Sequence, residues 1–168
     1  LVVCIAACSN QSKTDQPLSL HSIKKWEGGE EHYLGSPNAV VYNAANNKVY
    51  VSDCQQKTIF VFDTALNYHS RFTRAGQGPG ELVRVADLAA DTRGFIYALD
   101  PAKRCVNKYS DEGVFAKQIP LPEGMWGRYT RLALDSEGNM LIGGFTEKGL
   151  VTKIDQTGRI LQSFGGIA

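Results

Sequence analysis

The sequence contains little of what most catalytic and metal centres are built from. It has only three histidines, His21, His32 and His69, and none lies at the spacing of a zinc site. It also lacks a Gly-x-Ser-x-Gly turn and any local cysteine and histidine pattern that would mark a hydrolytic nucleophile. The residues therefore point to no catalytic group, no metal ligand and no cofactor.

Long runs of charge or of apolar residues are also missing. The 168 residues include 18 basic and 17 acidic ones, with no block of one sign, so the electrostatic footprint of a nucleic-acid-binding protein is absent. The apolar run at the N-terminus is too short to span a bilayer. The composition, 43% hydrophobic, is that of a globular domain with a substantial core.

The first residues have the character of a secretion signal. Residues 1–8 are apolar and end in small residues, which is typical of the tail of a signal peptide. The stretch Ile5-Ala6-Ala7-Cys8 resembles the lipobox of bacterial lipoproteins, which implies lipidation of Cys8 and anchoring of the protein in the cell envelope, periplasmic or at the cell surface. A plain secretory signal with an incidental cysteine is the alternative. Residues 9–20 are polar and are predicted to form a flexible tether.

The rest of the chain is dominated by an internal repeat of about 45 residues. Each copy has two short segments rich in Val, Ile, Tyr and Phe, bounded by Gly, Asn and Asp, which is typical of strands joined by hairpin turns. The paired segments are 47–53 with 58–63, 94–100 with 105–110, and 138–144 with 151–155. Tyr50, Tyr97 and Leu141 share one position of the repeat, and Phe62, Tyr109 and Ile154 share another.

Apolar residues on both faces of these segments predict sheets that are covered on both sides. In Ile59-Phe60-Val61-Phe62 every residue is apolar, whereas a sheet with one face in water would alternate with polar residues. Helical periodicity is absent from the sequence. We therefore predict an all-β protein whose four-stranded antiparallel blades stack face to face around an axis, as in a β-propeller.

The repeat resembles a known family at the level of residues. The segment Gly76-Gln77-Gly78-Pro79-Gly80-Glu81-Leu82 and the residues that follow it to Phe115 are similar to NHL/TolB-like six-bladed β-propellers, and especially to propeller lipoproteins of Bacteroidetes. This resemblance implies six blades. We interpret the Gly-rich segment as a connector between blades and not as a phosphate-binding loop, since it lacks the Gly-Lys-Ser/Thr ending of such a loop.

About three of the six blades fit into this sequence. We expect a partial propeller over residues 21–168, with blades at roughly 36–82, 83–129 and 130–168, so that the chain is an N-terminal fragment. An open arc would leave blade faces bare, which predicts self-association of the truncated form. Closure of a three-bladed protein by dimerisation is the alternative.

Aspartates recur at the ends of strands and in turns, namely Asp53, Asp63, Asp91, Asp100, Asp135 and Asp155. Their positions favour capping of backbone N–H groups over calcium binding or acid–base chemistry. If any of them contacts a ligand, Asp53 and Asp100 are the better candidates, because both end the second strand of a blade, where loops reach one rim.

That rim is the surface on which propellers usually bind, because loops of successive blades converge there on a rigid scaffold. The candidate ligand-binding residues are Asp53, Lys57, Arg74, Asp100, Arg104, Trp126 and Arg128. Trp126 and Arg128 stand out because Trp and Arg dominate binding hot spots, although packing of Trp126 between blades is an equal alternative.

Two further questions stay open at the level of sequence. Cys54 and Cys105 both lie near loops after second strands, and a disulfide between them is one alternative even though their offsets within the repeat differ. For function, the sequence favours a membrane-anchored extracytoplasmic module that binds a protein, peptide or glycan, without catalysis. The alternative is a lyase or lactonase of the propeller type with a divalent metal in the central channel, since fold alone does not separate the two.

Overall fold

The structure, a computed structural model, describes residues 24–26, 28–29, 32–123, 125, 129–146 and 149–166, without the side chains of residues 145 and 146. This part of the chain contains twelve β-strands. The predicted signal and lipobox (1–8), the tether (9–20), Trp126 and Arg128 lie outside the described residues. The strands are β1 (Pro37–Asn43), β2 (Lys48–Asp53), β3 (Thr58–Asp63), β4 (Tyr68–Phe72), β5 (Asp87–Ala90), β6 (Ile96–Asp100), β7 (Cys105–Tyr109), β8 (Phe115–Pro120), β9 (Tyr129–Leu134), β10 (Met140–Thr146), β11 (Gly149–Ile154) and β12 (Ile160–Phe164).

The strands form three antiparallel sheets of four, and in each sheet the strands follow one another in chain order. The pairing repeats from sheet to sheet, because Tyr50 pairs with Val61, Tyr97 with Lys108 and Leu141 with Lys153. The repeat positions assigned from the sequence are therefore confirmed. Each sheet is one blade, numbered one to three below.

The blades meet through their first strands. Strand β1 contacts β5, and β5 contacts β9, so the sheets converge on one side and fan out toward their fourth strands. Between blades one and two the core includes Tyr50, Ile59 and Leu88, and between blades two and three it includes Tyr97 and Ile142. Strand β3, Ile59-Phe60-Val61-Phe62 included, is buried on both faces. The predicted all-β class and its propeller blades are confirmed.

The turns follow the chemistry that the sequence predicts. Gly94 and Gly138 have φ of 96° and 81°, values that L side chains rarely adopt, and each ends an Asp-x-x-Gly turn. The Oδ1 atom of Asp91 accepts the backbone N–H of Arg93 and of Phe95 at 3.0 Å, which fixes the first of these turns. The capping role predicted for this aspartate is thus present.

A segment that precedes the first blade covers part of its outward face. We call residues 24–36, as far as they are described, the strap. Trp26 and Leu34 of the strap pack on a cluster that includes Phe60, Phe62 and the partly buried Tyr68. The outer half of this face is therefore covered, whereas the prediction was of a bare face.

The inner half of the same face is open. Val40 on β1 is 49% exposed, although its equivalents Leu88 and Leu132 on β5 and β9 are 4% and 6% exposed. On blade three, Phe164 is 42% exposed, although its equivalent Ile119 is buried. Where a neighbouring blade is present these positions are buried, or partly buried at Phe72 of blade one, and they are exposed where none is.

The two described cysteines do not form a disulfide. Cys54 and Cys105 are both free thiols, and their Sγ atoms donate to different groups, the Val85 carbonyl and Asn107 Oδ1. The alternative of a Cys54–Cys105 bridge is therefore wrong, because the two residues occupy different positions of the repeat. Burial raises the pKa of the Cys105 thiol to about 11.

Candidate functional site

The blades present two different rims because neighbouring strands run in opposite directions. At one end lie the loops between second and third strands, together with the connector from each blade to the next, and we call this end the connector rim. At the other end lie the tight turns between first and second and between third and fourth strands, which we call the turn rim. Of the ligand-binding residues predicted from the sequence, those that the structure describes belong to the connector rim, namely Asp53, Lys57, Arg74, Asp100 and Arg104.

Asp53 organises the connector rim of blade one from within. Its side chain is buried, and its two carboxylate oxygens accept four backbone N–H groups. Oδ2 accepts from Gly35 and Ser36 at 2.6 and 2.9 Å, and Oδ1 accepts from Gln55 and Gln56 at 2.9 and 2.8 Å. The carboxylate thus joins the chain entering the blade to the β2–β3 loop, and its lone pairs are used internally.

Asp100 makes the same arrangement in blade two. Its Oδ2 accepts from Val83 and Arg84 at 2.7 and 3.2 Å, and its Oδ1 accepts from Ala102 and Lys103 at 3.1 Å. The side chain is fully buried. Both aspartates chosen from the sequence as the better rim candidates are therefore internal clamps of the rim, which leaves its exposed side chains to meet a ligand.

Blade three has a glycine where the other two blades have the clamp aspartate. The pairing of Leu141 with Lys153 places Gly144 at the position of Asp53 and Asp100. The ladder between β9 and β10 shifts register between Gly143 and Gly144, where the other blades carry their carboxylate. The connector rim is therefore built differently at this blade.

The Gly-rich segment is a connector, as predicted. It lies between β4 and β5 and is held by Glu81, whose Oε2 accepts the N–H of Gly78 at 2.9 Å and whose Oε1 accepts Arg74 Nε at 2.7 Å. These contacts hold the pKa of Glu81 below its usual range, with the Gly78 hydrogen bond as the main cause. Lys103 Nζ donates to the Gly78 and Glu81 carbonyls at 2.8 and 3.0 Å.

One glycine of this connector is required by packing as well as by backbone shape. Gly80 has a φ of 72°, and a Cβ added there would lie 2.8 Å from the Cβ of Phe115. Its carbonyl accepts the phenol O–H of Tyr109 at 3.0 Å, an interaction across blades one and two. Burial is the main reason that the pKa of Tyr109 lies well above its usual value. The connector is thus a fixed part of the blade interface.

The basic candidates on the connector rim divide into anchored and exposed side chains. Lys57 and Arg104 occupy equivalent loop positions with φ of 55° and 52°, and their side chains donate to the carbonyls of Cys54 and Pro122. Arg74 carries an 82% exposed side chain in its ion pair with Glu81. Of the predicted basic residues that are described, Arg74 is the one most open to a partner.

Arg84 is a rim residue that was not predicted from the sequence. Its backbone is fixed by Asp100, and its side chain is exposed on the connector rim just before the innermost strand β5. In the sequence, the repeat aligns Arg84 with Arg128 before β9 and with Ser36 in blade one. A comparison of repeat positions, rather than a search for motifs, would have found it.

The innermost strands β1, β5 and β9 carry few charged side chains, and these already make hydrogen bonds. Asp87 on β5 accepts the N–H of Leu132 on β9 through Oδ2 at 2.9 Å and that of Leu88 through Oδ1 at 3.0 Å, so its carboxylate links blades two and three. Arg131 on β9 is exposed and donates to the Thr130 carbonyl at 2.8 Å. Among the described residues no group of three or more His, Cys, Asp and Glu side chains is arranged to hold a metal ion.

A cleft of about 390 Å³ opens on the turn rim between two equivalent turns of blades two and three, 91–94 and 135–138. Two of the three acids that line it, Asp91 and Asp135, are paired with lysines, and the third, Glu137, accepts a hydrogen bond from Asn139. Asp91 Oδ2 lies 3.8 Å from Lys108 Nζ, and Asp135 Oδ2 lies 2.7 Å from Lys153 Nζ. The Lys153 contact is the main reason that the pKa of Asp135 lies far below its usual value. These carboxylates stabilise turns and do not converge on a vacant position.

The same blade architecture defines a known protein family. The family model named DUF5128, 6-bladed beta-propeller, matches residues 10–153, which is more than half of the chain. The chain belongs to this family. Six blades are therefore the family's architecture, and the structure of this chain describes three. No curated protein sequence matches the chain significantly.

Solved structures with the same fold come from several bacteria. A Bacteroides fragilis protein described as exported has a TM-score of 0.68 at 17% identity, with 83% of this chain and 40% of that one covered. Virginiamycin B lyase from Staphylococcus aureus has a TM-score of 0.56 at 13% identity, covering 74% of this chain and 40% of the lyase. A Bacteroides caccae protein of unknown function also has a TM-score of 0.56 at 13% identity, covering 77% and 46%.

These similarities are evidence for the fold alone, because all the identities are low. The chain spans less than half the length of each of these structures. Within the described residues, no helix has the length and hydropathy that a membrane span requires.

Proposed function

We propose that the chain is the N-terminal part of a lipid-anchored, extracytoplasmic six-bladed propeller that binds a protein, peptide or glycan on its connector rim and performs no catalysis. The sequence resemblance to NHL/TolB-like propeller lipoproteins, with Cys8 in a lipobox, supports the anchor and the location. The similarity to an exported Bacteroides fragilis protein fits the same location.

The observation that carries the binding role is the pair of buried clamps at Asp53 and Asp100. Each fixes two stretches of backbone at the connector rim through four N–H groups, so the loops are ordered before any ligand arrives. A preordered loop loses less conformational entropy on binding, which favours affinity. Arg74 and Arg84 project from this ordered rim, and arginine is frequent at the centres of interfaces.

The test is a search for ligands with the purified chain, using glycan arrays and an extracellular peptide library. For any ligand found, Arg84→Ala is expected to weaken binding by about tenfold, because exposed arginines at an interface centre often contribute more than 1 kcal/mol. Val114→Ser on the turn rim is the matched control and is expected to leave affinity unchanged. Loss of binding in the control with none in Arg84→Ala would contradict a connector-rim site.

The anchor and the absence of catalysis have separate tests. Replacement of Cys8 by serine is expected to abolish incorporation of labelled fatty acid and to release the protein from the membrane fraction. For catalysis, elemental analysis of the purified chain is expected to find no stoichiometric divalent metal. Stoichiometric calcium or zinc would favour the lyase or lactonase alternative over a binding module.

A further inference from the structure

The strap crosses blade one from the turn rim to the connector rim. At its beginning, Lys24 Nζ donates to Oδ1 of Asn67, a residue of the β3–β4 turn, at 2.7 Å. At its end, the N–H of Gly35 donates to Asp53 at 2.6 Å on the connector rim. Lys24, the first described residue of the strap, therefore lies at the turn rim.

Aromatic packing holds the strap in this path. The ring centroid of Trp26 lies 5.1 Å from that of Phe62 in an edge-to-face arrangement and 6.2 Å from that of Phe60. His32, further along, stacks on Tyr68 with centroids 4.3 Å apart. Since these contacts cover the outer half of the face, releasing the strap would expose several aromatic rings to water.

We infer that the protein, when held at a membrane through its N-terminus, keeps the turn rim toward the bilayer and the connector rim away from it. The inference rests on the N-terminal anchor of the proposed function and adds which surface is available to a partner. It follows from the point at which the chain enters the fold, because a tethered body turns its attachment point toward the surface that holds it.

The length of the chain before the strap makes this orientation the easier one. From Cys8 to Lys24 the chain spans at most roughly 55 Å when fully extended. Turning the connector rim to the bilayer would require this stretch to pass back along a blade, whose seven-residue first strand is about 23 Å long. That detour uses nearly half of the available length, so fewer chain conformations permit it.

Charge on the turn rim is mixed. Glu112 and Glu137 are exposed there, and so are Arg93 and Arg159. Acidic and basic side chains are interspersed among the described residues of this rim, whereas adsorption to anionic lipid is the property of polybasic clusters. Attachment at the N-terminus, and not adsorption, therefore decides the orientation, and the connector rim remains accessible from the aqueous side.

Energy transfer to labelled lipid tests this orientation. A polyhistidine tag joined to Leu1 of the full chain attaches it to vesicles of phosphatidylcholine and nickel-chelating lipid that carry an acceptor dye. A donor dye is placed at Gln77→Cys on the connector rim or at Val114→Cys on the turn rim, both exposed positions. Cys4, Cys8 and Cys54 are replaced by serine in both proteins.

Transfer from position 114 is expected to exceed transfer from position 77 by at least about twofold, because transfer falls steeply with distance from the bilayer. Trp26→Ala removes the packing that holds the strap, so the first fixed point of the chain becomes Gly35 on the connector rim. In this variant the difference in transfer between positions 114 and 77 is expected to shrink or reverse. If circular dichroism shows that the Trp26→Ala variant has lost strand content, that variant is set aside. The inference is then decided by the transfer from positions 114 and 77 in the protein with Trp26 intact.

Equal transfer at both positions, or greater transfer at position 77, would overturn the inference. Transfer from an untagged chain would overturn it as well, because adsorption would then set the orientation. The tag takes the place of the acyl group, so a failure to find lipid on Cys8 in cells would count against the proposed anchor and leave this measurement intact.

Discussion

The ammonium group of Lys108 lies over the face of Phe95, with Nζ 4.0 Å from the ring centroid. The Tyr97 ring is also close, at 4.8 Å, and the Lys108 side chain is only 9% exposed between blades two and three. Desolvation lowers the pKa of this lysine, with Asp91 acting in the opposite direction. A charge thus stands in an otherwise apolar interface, stabilised by two rings and a carboxylate.

This arrangement predicts that Lys108→Ala destabilises the protein by about 2 kcal/mol, through loss of the cation–π contacts and of the packed stem. Lys108→Met is expected to lose less, because it keeps the stem. Lys153→Ala is the matched control, since Asn139 and Leu141 take the places of Phe95 and Tyr97 around it. Urea unfolding measures all three, and an equal loss in Lys153→Ala would contradict the role of the rings.

The clamp at Asp100 predicts a large effect from a small change. Asp100→Asn keeps the shape of the side chain but replaces one accepting oxygen by an NH₂ group that faces backbone donors, which should cost about 2 to 4 kcal/mol. Asp155→Asn, at an exposed turn, is the control and should change the midpoint of unfolding far less. Thermal and urea unfolding give the comparison, and a neutral Asp100→Asn would exclude the clamp.

Packing between blades predicts a large loss of stability at one position and a small loss at its equivalent. Leu88→Ala, in the interface of blades one and two, is expected to cost about 2 to 4 kcal/mol through the cavity it leaves. Val40→Ala, at the same position of blade one but 49% exposed, is expected to cost less than about 1 kcal/mol. Similar losses at both positions would mean that the outward face of blade one is covered in solution.

A fourth test uses alkaline pH. Burial, with Asp91 as a second cause, raises the pKa of Tyr97 to about 12 from its usual 10. The fold therefore retains a proton that the unfolded chain loses, and this stabilisation is complete below pH 10 and is lost as the pH rises toward 12. Tyr97→Phe is expected to unfold with a shallower dependence on pH between 10 and 12 than the wild type. Parallel curves would show that Tyr97 does not contribute.

The repeated strands were predictable because each occupies a short apolar run with Gly or Asp at its end. The strap was not, because its Trp26 stands among glycines and glutamates without any periodicity, and only the fold brings it onto Phe62. At Asp53 the sequence favoured capping but also kept the residue as a ligand candidate. An aspartate at the end of a strand is compatible with both roles, and the direction of its side chain, which decides between them, depends on the neighbouring backbone.

The glycine at position 144 has a consequence for how this protein can change over time. In blades one and two, any alteration near the rim must preserve the geometry of a buried carboxylate and its four donors, so most substitutions there are penalised through stability. The third blade carries no such requirement at that site. Sequence drift should therefore be tolerated best between β8 and β9 and in the β10–β11 hairpin.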